Sequence, residues 1–147
     1  FVLALPAMYQ TFVAASRPLA LILAAAIGFY GVCDCIFTGL FSVDTNESSW
    51  NLSTWVHNIG SGIGYAGFLL FPLIVFLIYR TLGNTQFSQL FLGLTIISFL
   101  VASGYGLARI PGVNRMPLLN QLGFWQRLSF FFNYLPIGIL SILQIKP

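Results

Sequence analysis

The sequence predicts an all-α fold, a multi-pass transmembrane helix bundle, and three observations predict it. First, 58% of the 147 residues are apolar and 6% are charged, against about 25% charged in an ordinary soluble domain. Six basic and three acidic side chains cannot cover a water-facing surface of this size. Lipid removes the contradiction, because apolar surface facing acyl chains needs no polar cover. Second, the apolar residues fall into five runs separated by short polar stretches. Third, Arg17, Arg80, Arg109, Arg115, Arg127 and Lys146 stand at or near the ends of those runs, where topology signals lie. Strand-like alternation with regular turn signals is missing, which argues against a membrane barrel. No dense Lys/Arg stripe exists, which excludes a nucleic-acid partner.

The first run, 1–15, is short for a bilayer core of about 30 Å. It is expected to be the end of a longer helix, with Pro6 as a kink. The second, 18–41, opens on Pro18, a residue that costs no hydrogen bond in a first turn. The stretch 42–53 is the most polar in the chain and holds Asp44 and Glu47. It reads as a loop outside the hydrocarbon. The third helix runs from about Thr54, with Ser53 or Thr54 as its cap, to Tyr79. Gly83-Asn84 then makes a hairpin between antiparallel helices. The fourth helix covers about 87–108. The segment 109–122, broken by Pro111, Gly112 and Pro117, brings Leu118, Leu119 and Leu122 to the interface. The fifth helix covers about 123–145, with Pro136 inside it. The expected total is four full spans and one partial N-terminal span in a single domain. Three basic residues on each side leave orientation tied. The acidic Ser/Asn-rich loop 42–53 places that end outside and the C-terminus in the cytoplasm.

Few residues can carry chemistry. His57 opens the third helix, and the spacing 57, 60, 64, 67 puts it on one face with Gly60, Gly64 and Gly67. Small residues so spaced let a neighbouring helix approach closely. The blander reading of His57 is an interfacial ring bonded to a backbone carbonyl or to loop 42–53. Asp34 lies well inside the second helix, where a carboxyl group is expensive and so points to function. Arg127, at comparable depth in the fifth helix, is an expected partner for it. Asp34, Asp44, Glu47, His57 and Arg127 thus gather at one membrane face, the expected mouth of any site.

Several chemistries are excluded or left without support. One histidine falls short of a zinc set and cannot supply two axial haem ligands. Neither a Gly-x-Ser-x-Gly elbow nor a metalloprotease motif occurs. Cys33 and Cys35 read as small apolar residues of a helix, so no metal site is expected, and no cofactor is indicated. The aromatic residues near one face, Trp50, Trp55, Trp125 and Tyr134, read as an interfacial belt. Phe130-Phe131-Phe132 is expected to face lipid.

Gly39-Leu-Phe41-Ser-Val-Asp44, a polar stretch and then His57 at the head of a helix resemble a bacterial and archaeal membrane family. That family is catalogued as domain of unknown function 998. Gly123-Phe-Trp-Gln-Arg127 fits its Gly-x-x-x-Arg motif at the last helix, while Ser42 stands where the family carries Pro. The resemblance covers about Pro18 to Ile145. It implies a multi-pass fold, a prokaryotic inner (cytoplasmic) membrane, and Asp44, His57 and Arg127 as positions to watch. It supplies no reaction. The expected partners are the lipid bilayer and other membrane protein subunits. Two function classes stay open. One is a non-catalytic accessory subunit or lipid or small-ligand binder. The other is an interfacial enzyme or transporter using Asp34, Asp44, His57 and Arg127.

Overall fold

The computed structural model describes residues 1–43 and 51–145. Helices form all the regular structure, and no strand occurs among the described residues. A 3-10 turn, Val2–Ala4, leads into α1, Leu5–Phe12. Pro6 stands in the first turn of α1. There it removes no helical hydrogen bond, so the kink expected of it does not arise. α2 spans Arg17–Leu40, and the Ser16 hydroxyl accepts a hydrogen bond from the Leu19 N–H at 3.5 Å.

α3 spans Leu52–Thr81, α4 Thr85–Ala108 and α5 Leu122–Ile145. α3 starts earlier than its hydrophobic run suggests because its cap is Asn51. The Asn51 Oδ1 accepts from the Thr54 N–H at 2.9 Å, and asparagine leads the ranking at this position. The turn into α4 uses Gly83 at φ +70, a conformation glycine adopts without steric cost. Asn84 then caps α4 by accepting from the Phe87 N–H at 3.1 Å. Asp44, Glu47 and Trp50 lie outside the described residues.

α3 is the axis of the bundle, packing on α2, α4 and, less extensively, α5; α5 leans mainly on α4, and α1 on α2. The α2–α3 contact is made nearly backbone to backbone. A Cβ on Gly60 would stand 2.8 Å from the Cys33 carbonyl oxygen. One on Gly64 would stand 2.8 Å from the Asp34 nitrogen, and one on Gly67 2.9 Å from the Ala26 carbonyl oxygen. Opposite the mouth, Leu23, Ile27, Phe71, Val75, Ile78 and Phe91 form a fully buried apolar core.

Among the described residues, three helices, Arg17–Leu40, Leu52–Thr81 and Thr85–Ala108, are long and apolar enough to cross a membrane. The fourth expected span corresponds to α5, which is also 24 residues long but is not one of those three. Gln126, Arg127, Asn133 and Gln144 interrupt its apolar run. The aromatic triplet of α5 does not face outward as a block. Phe131 is exposed, while Phe130 and Phe132 are half-buried. Successive residues of a helix point about 100° apart and cannot share a face. Within 109–122, likewise, Leu119 is buried while Leu118 and Leu122 are exposed.

Candidate functional site at the mouth of the bundle

The polar residues concentrate where α2 ends, α3 begins, α4 ends and α5 begins. In α2, Tyr30–Phe37 is a π-helical stretch, a wider winding that often marks functional sites. It carries Asp34. The turns of α3 that carry His57 and Ser61 pack on this stretch, with Gly60 against the Cys33 carbonyl and Gly64 against the Asp34 backbone. His57 is itself anchored, its Nδ1 lying 2.7 Å from the Phe41 carbonyl oxygen. A carbonyl only accepts, so Nδ1 carries the proton, and in the neutral ring Nε2 is left with the lone pair.

Beside this cluster lies a cleft of about 530 Å³ between α3, α4 and α5. From α3 come His57, Asn58, Ser61 and Tyr65; from α4, Tyr105 and Arg109; from α5, Gln126 and Phe130. His57, Ser61 and Tyr65, Tyr105 and Arg109, and Gln126 and Phe130 follow one another at four residues, as neighbours on one helix face do. Among the described residues that line the cleft, Arg109 is the one permanent charge. Its guanidinium carbon lies 5.7 Å from the centroid of the Tyr105 ring, within cation–π range. Tyr105 in turn lies beside Tyr65, ring centroids 6.3 Å apart. Trp125 braces the α4–α5 side. Its ring fills the space where Gly104 has no Cβ, and its Nε1–H donates to the Leu118 carbonyl at 2.9 Å.

Below the cleft the polar residues continue inward. The Tyr65 hydroxyl is hydrogen-bonded to Ser129. Pro136 lacks the N–H that would bond the carbonyl of Phe132, four residues earlier. Ser98 of α4 takes that place, donating to the Phe132 carbonyl at 3.0 Å. Asn133 lies between these two arrangements in sequence and is fully buried. Neither its Nδ2 nor its Oδ1 has a hydrogen-bond partner. Burying a carboxamide unpaired costs about 2–7 kcal/mol, and Asn133 is the one described side chain carrying such atoms.

Asp34 and His57 thus stand on packed turns of α2 and α3, and Arg127 stands apart from them. Arg127 is exposed, is not among the cleft residues, and forms no ion pair with Asp34 among the described residues. Gln126 takes the cleft-facing position, and Arg127, the next residue of the helix, points about 100° away. Gly60, Gly64 and Gly67 lie against α2. Asp44 and Glu47 fall outside the described residues. Among those described, no group of three or more His, Cys, Asp or Glu side chains could hold a metal ion. Sequence reasoning missed Arg109, Tyr65, Tyr105 and Asn133 as site residues. The signal that could have found them is the shared helical spacing of polar residues at 57, 61 and 65, at 105 and 109, and at 126, 129 and 133.

Among the described residues, an all-helical fold with three membrane-length apolar helices and a polar mouth marks an integral membrane protein of the multi-pass class. A family model described as "Protein of unknown function (DUF998)" matches residues 1–143, and the chain belongs to that family. No curated protein and no solved structure matches it.

Proposed function

We propose that this protein is a non-catalytic membrane component that binds an amphiphile, taking its anionic headgroup into the cleft between α3, α4 and α5. The observation that carries this reading is the cleft itself: about 530 Å³, lined by hydroxyl, amide and imidazole groups around Arg109, the one permanent cation among its described lining residues. Arg109 lies over Tyr105 at the end of α4, a position suited to meet a phosphate at the interface. In this reading α5 is the fourth full span, since its 24 residues cover about 36 Å at 1.5 Å per residue. The mouth faces the outside of a prokaryotic inner membrane and the C-terminus lies in the cytoplasm. An accessory-subunit role has less to support it, because the glycine face that suggested a docking partner is already packed against α2.

Thermal unfolding in maltoside micelles tests the proposal. Added phosphatidylglycerol is expected to raise the midpoint more than phosphatidylcholine does. Arg109→Gln is expected to abolish that preference, weakening phosphatidylglycerol binding about tenfold, since a hydrogen bond to a charged group contributes about 1.5–3 kcal/mol. Equal stabilisation of the unaltered protein by the two lipids overturns the proposal.

A second reading, acid–base chemistry at the same mouth, is favoured by one observation: the Phe41 carbonyl holds Nδ1 of His57, and the ring lines the cleft. Fatty-acid release from an ester lipid by the purified protein, lost in His57→Gln, would establish it. Its absence leaves the binding reading.

A further inference from the structure

We infer that Asn133 is an inner contact for the same ligand and that the ligand carries a neutral group able both to donate and to accept a hydrogen bond, a hydroxyl or carboxamide, one helical turn beyond the cleft floor. This inference rests on the headgroup reading above and adds the chemistry of the ligand's middle.

Three observations lead to it. Gln126, Phe130 and Asn133 share one face of α5, at i, i+4 and i+7, and the first two line the cleft. Asn133 therefore continues the cleft wall inward. Ser129, hydrogen-bonded to Tyr65 of the cleft, lies four residues before Asn133, a rise of about 6 Å. The headgroup-to-glycerol reach of a monoacyl glycerolipid is of that order. Lastly, the neighbouring hydroxyls are already engaged, Ser98 with the carbonyl freed by Pro136 and Ser129 with Tyr65. Among the described side chains, the Asn133 amide alone keeps both a donor and an acceptor unmatched.

A partner that matches both atoms is a group with one hydrogen to give and one lone pair to offer. A ligand hydroxyl accepts from Nδ2 and donates to Oδ1. An ether or ester oxygen satisfies only the first.

The experiment compares two probes on the full chain in maltoside micelles. One is monoacyl phosphatidylglycerol with its free glycerol-backbone hydroxyl; the other is the analogue in which that hydroxyl is replaced by hydrogen. Monoacyl phosphatidylcholine serves as the headgroup control. The hydroxyl probe is expected to bind about tenfold more tightly than the deoxy analogue, read from the dependence of the unfolding midpoint on probe concentration. Asn133→Leu is expected to unfold at a higher temperature without lipid. It should bind both phosphatidylglycerol probes alike while still preferring them to the choline lipid.

Equal binding of the hydroxyl and deoxy probes by the unaltered protein overturns the inference and leaves the headgroup reading standing. Equal binding of the glycerol and choline headgroups overturns the headgroup reading instead. Should Asn133→Leu fail to fold, the two-probe comparison on the unaltered protein still decides.

Discussion

The α2–α3 contact and the α3–α4–α5 mouth are built from one central helix, yet they use it in opposite ways. Toward α2, α3 presents Gly60, Gly64 and Gly67, and backbone meets backbone with no room for a methyl group. Toward α4 and α5, the same helix presents Asn58, Ser61 and Tyr65, and a cleft remains, with His57 at its edge bonded back to the Phe41 carbonyl. In lipid no hydrophobic force drives helices together, so close van der Waals packing and interhelical hydrogen bonds must hold them. The glycine seam supplies the first over a long contact and frees the other face to stay open. The contrast teaches where rigidity and where binding are located: substitutions on the seam should cost stability, and substitutions at the mouth should cost affinity.

The sharpest break of this contrast is a pair of glycines two residues apart. Gly64→Ala puts a carbon 2.8 Å from the Asp34 backbone nitrogen, which no side-chain rotation relieves. The helices must separate, at a cost of about 1–3 kcal/mol, seen as a lower midpoint in thermal or denaturant unfolding. Gly62→Ala meets nothing within 4 Å and is expected to leave the midpoint level or raised, as alanine favours helix by up to about 1 kcal/mol. If both substitutions destabilise equally, the seam is not where the bundle is held.

A smaller effect separates serines of α4. Ser98 spans to α5 and satisfies the carbonyl that Pro136 leaves free. Ser103 donates to Phe99 of its own helix at 2.8 Å. Ser98→Ala is expected to destabilise by about 0.6–1.7 kcal/mol, the range for interhelical polar contacts in membranes. Ser103→Ala should be close to neutral. The same unfolding measurement reads both, and equal effects would mean that the proline-freed carbonyl finds another donor.

Much of the seam was legible in the sequence, and little of the mouth was. Glycines at 60, 64 and 67 are one helix's property, and their common face follows from 3.6 residues per turn. The hairpin at Gly83-Asn84 is likewise local, set by a positive φ and a side-chain cap. The cleft draws residues from three helices, and which faces meet depends on each helix's rotation about its axis, which no single run encodes. The π-helical winding of Tyr30–Phe37 carries no proline or glycine-pair marker, so the azimuth of Asp34 was not readable either. Depth could be counted along the chain, and it led to Arg127 as a partner for Asp34; the exposed Arg127 side chain shows that depth alone does not make a pair.

The smallest expected effect follows from that last point and tests the contrast from the other side. Arg127 and Arg109 both stand near the mouth, but only Arg109 lines the cleft. Arg127 is exposed, and an exposed charge of this kind contributes about 0–1 kcal/mol. Arg127→Gln is therefore expected to shift the unfolding midpoint little and to keep the preference for phosphatidylglycerol, whereas Arg109→Gln keeps the midpoint and loses the preference. A buried pair with Asp34 predicts the reverse for Arg127, because removing one partner of such a pair strands a charge and costs about 3–5 kcal/mol. Measuring the two arginine variants side by side, by midpoint and by lipid preference, decides which cation serves the cleft and which merely stands beside it.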